Sequence, residues 1–525
     1  MNRKKTRVRL SQLAIMLIVL ALFASQSFAA GSMGSTEDAL AQDNQEEQVM
    51  KKGEDESSVN ENKLWPGMSG STQWMNMLQG QLGLNDLGYV SVKLFGAKGD
   101  GVSDDTEAIQ SAIDYVGEQG GGTVFFPAGT YIVKRATPAQ NYNYCLIIKD
   151  SNISLLGAGM GATTIKIADG ENATILRTVI NNTNIDGELA KPLKNIKIAD
   201  LTIDGNWENI TWAGPTGLES EGIYDQNGIS IFTTTDGRVE NVHVKHIGQD
   251  GLSGGSNRNI VVTGSVVEHT GKNNIAFFQS TGMKITNNTA RNANDSPDGG
   301  AVKPYYNTSS SKYSSIAFAY APSPLFVGTT RSLNIASGNT IYTETGRGIS
   351  ADSGANHLII ANNMIESSSG RHLISLLMPS SIMPSGFVVS DNILRNDAES
   401  NGDKRDISIT NVQDAVVSGN TIFGGGMAIV LDNTHHAVVT DNLIREVGND
   451  SATAAGINVR GSSNLRLHDN LLSDSTVKFT NRPSDEISLQ SNKLTATPTG
   501  LNLVNNLTSF NNDGYDPFVP NQEAS

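Results

Sequence analysis

The sequence predicts an all-β protein: a single-stranded, right-handed parallel β-helix with an N-terminal capping helix. Three observations carry this. The chain holds 53 glycines in 525 residues, only 17 % charged residues, and 38 % hydrophobic ones. That composition buries a core of small and β-branched side chains, and it is too apolar for wholesale disorder. From residue 239 on, one phrase recurs: β-formers, two small or polar residues ending in Asn, then more β-formers. It closes on Asn288, Asn339, Asn363, Asn392, Asn420, Asn442, Asn470 and Asn492, the last seven spaced 24, 29, 28, 22, 28 and 22 residues apart. No helical stripe runs through this region. Several strands per 22–29 residues is a solenoid period, whereas propeller blades need about 40–50.

The elements follow in chain order. Residues 1–29 have the pattern of an export signal. Arg3, Lys4, Lys5, Arg7 and Arg9 precede the apolar run 13–24, and Ser27-Phe28-Ala29 gives a small-x-small cleavage pattern. The run is short for a membrane span, which takes about 20 residues. Cleavage would leave a secreted or cell-surface protein, not inserted in a membrane, with the net charge moved from −15 to near −20. Residues 30–87 are an acidic linker and lead-in; the stretch 30–63 carries nine acids against three lysines. Residues 88–500 form the β-helix domain, and 501–525 a C-terminal tail. A monomer is expected.

A solenoid needs covered ends. Ser103-Asp-Asp-Thr-Glu107 reads as a helix start with Ser103 as N-cap, and Ala108, Ile109, Ala112, Ile113 and Val116 form an apolar stripe. Helix 104–118 is therefore the predicted plug. Within the repeats, Asn tolerates the left-handed backbone of a tight corner, and its amide can bond from coil to coil.

Some classes are excluded. The acidic balance and the lack of a basic block argue against a nucleic-acid partner. The single cysteine, Cys145, removes disulfides, CxxC chemistry and cysteine-based zinc sites. Gly157-Ala-Gly-Met-Gly-Ala162 matches a dinucleotide fingerprint only formally, because a strand pattern follows it where a helix is required. Gly251-Leu-Ser-Gly-Gly255 likewise lacks the strand–elbow–helix context of a nucleophile Ser253. His435-His436 reads as a surface turn pair.

The stretch from Val92-Lys-Leu-Phe-Gly-Ala-Lys-Gly-Asp-Gly101 through Gly120-Gly-Gly-Thr-Val-Phe-Phe-Pro-Ala-Gly-Thr-Tyr131 resembles the opening of the pectate-lyase-3-type β-helix family. That family includes polysaccharide lyases, glycosidases, phage tailspikes and the catalytic modules of mannuronan C5-epimerases. Cys145-Leu-Ile-Ile-Lys149, Leu156-Gly-Ala-Gly-Met-Gly161 and Asp200-Leu-Thr-Ile-Asp-Gly-Asn206 are similar to the epimerase module, so that the resemblance is closest over residues 88–206. It implies a carbohydrate-active enzyme. The sequence departs from the module where the latter carries a Tyr-Gly-Phe-Asp-Pro-His-like motif: the coil here reads Asp250-Gly-Leu-Ser-Gly-Gly255.

A β-helix core is closed, so a chain-like ligand must lie along an outer face, where equivalent residues stack about 4.8 Å apart. Parity along the strands points Lys303, Tyr305, Ser350, Asp352, Ser408, Thr410 and Asp406 outward, with Phe278 as a sugar platform one coil earlier. Arg347, Arg371, His372 and Arg405 fall at strand starts. The Tyr-rich excursion at 304–325 marks the binding side.

Three functions fit. In the first, a uronate-containing polysaccharide is cleaved or epimerised by abstraction of the proton α to its carboxylate. Lys303 is then the base, Tyr305 the proton donor, and Arg347 or Arg371 the carboxylate's counter-charge, with Asp352 in the same groove. Asp250, Phe278, Asp298, Tyr306, His372 and Arg405 are the expected substrate contacts. The sequence identifies no cofactor with certainty, although Asp295 and Asp298 could hold Ca²⁺ through hard oxygen ligands. The second reading is an inverting glycosidase pairing Asp298 with Asp352 or Asp250. The third is a glycan-binding solenoid without catalysis.

Overall fold

The computed structural model describes residues 89–136, 144–178, 191–209, 226–295, 313–319, 333–344, 346–352, 355, 357–368, 372–381, 383–397, 404–447 and 454–513. All lie in the larger of two compact units, Met75–Ser525. The export pattern, the acidic linker and much of the Tyr-rich excursion lie outside the described residues.

The predicted architecture is present. Each regular coil supplies three strands, as in Arg347–Asp352, Leu358–Ala361 and Met364–Ser367, before the chain enters the next coil at His372–Leu377. Every strand pairs in parallel with its counterpart one coil on, for instance Ile349 with Ile374 and Ile365 with Leu394. One strand per coil builds a short-edged sheet of twelve described strands, from Tyr144–Ile147 to Val477–Phe479. The other two build one long wrapped sheet.

Inward alternation fills the lumen. Leu176, Ile229, Leu252, Ile275, Ile316, Ile349, Ile374, Ile407, Ile429 and Ile457 occupy one register column of the twelve-stranded sheet, and all are fully buried. Burying each such side chain contributes roughly 1.5–3 kcal/mol before entropy is counted.

The recurrent asparagines form one continuous ladder. Asn339 gives both its backbone N–H and its Nδ2 to Oδ1 of Asn363, at 3.0 and 2.9 Å. Its Nδ2 also reaches the carbonyl of Ile285 at 2.9 Å. The pattern repeats from Asn288 to Asn512, one coil at a time. One detail differs from expectation. The left-handed residue is the one before the ladder asparagine: Asn287, Gly338, Asn362, Asp391, Gly419, Asp441, Asp469 and Ser491 all have positive φ. The preceding residue makes the corner, and that turn aims the asparagine inward.

Helix α1 spans Thr106–Glu118 and buries Ile109, Ala112, Ile113, Tyr115 and Val116 against the first coils. Its start is two residues later than predicted, because the local acids are used otherwise. Ser103 Oγ donates to Asp100, while the Asp105 carboxylate accepts from the backbone N–H groups of Lys98 and Gly99 at 2.6 and 2.9 Å. The strands also outrun the predicted end of the domain at 500, since Val504–Phe510 pairs in parallel with Ser484–Gln490.

Candidate functional site

The outward face of the twelve-stranded sheet is where the polar side chains converge. At the entry to its strands Asn227, Asp250 and Asn273, each two residues before the strand, and Ser314, Arg347, His372 and Arg405, each the first strand residue, follow one another coil after coil. The middle outward column reads Arg177, Ser230, Ser253, Ala276, Ala317, Ser350, Ser375 and Ser408. The far column reads Phe232, Gly255, Phe278, Ala319, Asp352, Leu377 and Thr410.

The first column divides into two parts. Its upstream half is a hydrogen-bond ladder: Asp250 N–H donates to Asn227 Oδ1 at 3.0 Å, and Asp250 Oδ1 accepts from Asn273 N–H and Nδ2 at 3.0 and 2.9 Å. Asn273 Oδ1 then accepts from Ser314 N–H at 2.8 Å. Asp250 is thus 9 % exposed and its Oδ1 is held by the scaffold, a correction to its expected part in substrate binding. The downstream half is basic in residue type: Arg347, His372 and Arg405 stand half-buried on three consecutive coils, about 4.8 Å apart. Arg405 also donates to Ser408 Oγ at 3.3 Å.

Two further residues stand one position upstream on the neighbouring coils. Lys272 sends its ammonium to Gln249 Oε1 at 3.1 Å and lies 6.0 Å from the ring centroid of Tyr313. Tyr313 in turn accepts the Arg347 backbone N–H at its carbonyl, at 2.9 Å. The sequence reading missed this lysine–tyrosine pair. The register could have exposed it, because Tyr313 directly precedes the strand that opens at Ser314 and Lys272 stands at the same position one coil earlier.

Behind this edge lies a titratable corner. His269 Nδ1 is 2.7 Å from Asp295 Oδ2, and that hydrogen bond raises the imidazole pKa above its ordinary value. The rings of Trp207, His246 and His269 lie 5.6–5.9 Å apart. Asp204 sits beside His246; burial opposes its ionisation, but hydrogen bonds and cations from His246, Asn206 and Lys245 bring its pKa below the usual carboxylate value. Asp295 was expected as a calcium ligand. Its carboxylate meets His269 instead, and no group of three or more His, Cys, Asp or Glu among the described residues could hold a metal.

Phe278 does face outward, 37 % exposed. Asp352 also faces outward, but at the opposite end of its strand from Arg347, about 16 Å along the chain at 3.3 Å per residue. Three coils and a strand's length put Asp352 roughly 20 Å from Asp250. The expected inverting pairs were Asp298 with Asp352 or with Asp250, and Asp298 lies outside the described residues. Asp406 was expected outward and is fully buried. The chain turns at this corner, so strand alternation fails there, and Gly348, Leu373, Asp406, Ala428 and Gly456 form a buried column in which no glycine leaves room for a side chain. Lys303, Tyr305, Tyr306, Asp298 and Arg371 lie outside the described residues.

The coil that departs from the epimerase motif has a packing reason for its glycines. A Cβ on Gly254 would lie 1.8 Å from the Ile231 carbonyl oxygen. Beside it, Ser253 Oγ lies 3.1 Å from Ser230 Oγ. The buried Arg177 extends the same column, its guanidinium 5.9 Å from the Phe232 ring centroid. His435, the other singled-out pair member, bonds Ser463 Oγ at 2.7 Å, and burial lowers its pKa.

Comparison with known proteins agrees with the fold. Residues 89–301 match the family described as rhamnogalacturonase A/epimerase, pectate lyase-like. Residues 226–381 match the right-handed β-helix region family, and 385–513 the periplasmic copper-binding protein (NosD) family. Alginate lyase 7 of Azotobacter vinelandii is 36 % identical over 203 residues, 38 % of this chain and 22 % of that protein. Mannuronan C5-epimerase AlgE1 of the same organism is 45 % identical over 121 residues, 23 % of this chain and 8 % of that protein. The chain therefore spans less than a quarter of the length of either relative. The crystal structure of pre-mature bacteriophage phi29 gene product 12 shares the fold, with a TM-score of 0.56 and 17 % identity over 84 % of this chain and 58 % of that one. The chain is thus a right-handed parallel β-helix protein whose residues 89–301 match a pectate-lyase-like family, and part of it is similar to mannuronan C5-epimerases and alginate lyase.

Proposed function

We propose that the protein is a polysaccharide-acting enzyme that binds a uronate-containing chain along the outward face of the twelve-stranded sheet. It acts by removing the proton α to the uronate carboxylate, as a lyase or C5-epimerase. One observation carries the reading: Lys272, Tyr313, Arg347, His372 and Arg405 follow one another on five consecutive coils along one edge. Within that row the guanidinium groups of Arg347 and Arg405, two coils apart, meet the repeated negative charge of a polyuronate. The names of the relatives, an alginate lyase and mannuronan C5-epimerases, point to the same substrate class.

The chemistry needs three roles. Arg347 neutralises the carboxylate, which makes the adjacent C–H acidic. Lys272 is the residue assigned to take that proton. Tyr313 then gives a proton, either to the departing glycosidic oxygen, which breaks the chain and leaves a double bond, or to the opposite face of the same carbon, which inverts it. Lys303 and Tyr305, the pair expected from sequence, lie outside the described residues; Lys272 and Tyr313 are proposed for the roles because Tyr313 stands on the coil next to Arg347 and Lys272 lies 6.0 Å from the Tyr313 ring. No step is routed through a metal. Secretion follows from the export pattern in residues 1–29, and N-terminal sequencing of exported protein tests it.

Incubating the protein with a panel of polyuronates and neutral glycans tests the whole reading. Ultraviolet absorbance of an unsaturated product means elimination, and altered uronate composition without cleavage means epimerisation. Reducing ends without absorbance would mean hydrolysis and would overturn the proposal.

A further inference from the structure

We propose that a groove on the long sheet, distant in sequence from the site above, is a second, non-catalytic binding site for a uronate unit of the same polysaccharide. The inference takes its substrate class from the proposed function but rests on separate residues. The groove encloses about 550 Å³ and is lined by His436, Asn464, Arg466, Glu486, Ser488 and Thr508 among others. That volume falls within the ordinary range for ligand sites.

The fold builds its two walls. At the corner leading into the long sheet, His436, Asn464, Glu486 and Asn506 have φ of 53°, 53°, 50° and 52°, so four consecutive coils project a polar side chain from one left-handed turn. Two residues on, the outward register column forms the other wall. That column is aliphatic over Ile359, Val388, Val416 and Val438, and then changes to Arg466, Ser488 and Thr508 at the groove.

The polar groups suit a uronate. Among the described residues Arg466 has no ion-pair partner, so its guanidinium can take a carboxylate in a bidentate pair. Glu486 would repel a ligand that is only anionic, but it accepts hydrogen bonds from sugar hydroxyls, as does the Asn464 carbonyl. Ser488 and Thr508 supply hydroxyls. His436 stands at the rim, 3.7 Å from Asp414. A site combining one cation, one carboxylate acceptor and neutral donors selects a sugar acid over a free anion or a neutral sugar.

The test uses the full chain carrying Arg347→Ala, which stops turnover, and a mannuronate tetramer as probe. Nuclear magnetic resonance of the histidine rings reports the groove through His436. The tetramer should shift the His436 signal, cellotetraose should not, and adding Arg466→Ala should weaken the response by about tenfold or more. An unshifted His436 signal, or a response indifferent to Arg466→Ala, overturns the inference. Wild-type protein that turns over no polyuronate yet binds the tetramer through Arg466 would sink the proposed function and leave this site standing.

Discussion

Nδ2 of Asn396 donates to Oδ1 of Asp406 at 3.1 Å, inside the solenoid where neither residue is more than 2 % exposed. The second oxygen of Asp406 meets no donor among the described residues. Burial therefore pushes the carboxyl pKa well above its ordinary value, more than the Asn396 bond lowers it. The native state keeps this proton at pH values where the unfolded chain has released it. The contribution of Asp406 to stability is then full below about pH 3.9 and declines as pH rises, at up to about 1.4 kcal/mol per pH unit, until the folded-state pKa is reached. Asp406→Asn should flatten that decline and raise Tm at pH 8 relative to pH 5. Parallel curves for the two proteins would show that Asp406 is ionised in the native state.

The asparagine ladder makes a stability prediction of different kind. Asn420 accepts from Asn392 at N–H and Nδ2, and donates to Asn442 and to the Val389 carbonyl. Asn420→Ala strands several buried polar groups at once, so it should cost about 2–4 kcal/mol. Denaturant unfolding measures this, and a loss below about 1 kcal/mol would mean that the ladder tolerates a gap.

At the proposed active edge, Lys272→Ala should lower kcat by at least about 10²-fold with little change in Tm, because an outward amine contributes little packing. Arg347→Ala should act on kcat/KM through the uronate carboxylate, and raising salt should weaken substrate binding. If Lys272→Ala retains activity while Lys303→Ala removes it, the base is the lysine expected from sequence.

The His269–Asp295 pair predicts a titration. The Asp295 hydrogen bond raises the His269 pKa above about 6.5, its unperturbed value. A raised histidine contributes stability that is fully present below about pH 6.5 and is lost as pH rises through the folded value. Resonance titration should place His269 above about 6.5 and show a downward shift in Asp295→Asn. An unmoved midpoint would mean that the pair does not form in solution.

The sequence by itself determined the fold, because a β-helix is written locally. Its period, its corner residues and its inward alternation each recur within 22–29 residues, so Ile349, Ile374 and Ile407 could be assigned to one buried column without knowing any distance. The asparagines were legible for the same reason. The site was legible only in part: Arg347, His372 and Arg405 could be placed at strand starts, but their alignment in one column depends on coil lengths that vary between 22 and 29 residues. Only the tertiary structure decided which residues meet across coils. It placed Asp250 in a hydrogen-bond ladder, and Asp406 in the core against its parity, because alternation breaks where the chain turns. It also brought together Lys272 with Tyr313 and His269 with Asp295, pairs 41 and 26 residues apart. Such contacts are set by stacking, which couples residues one coil apart whatever lies between them.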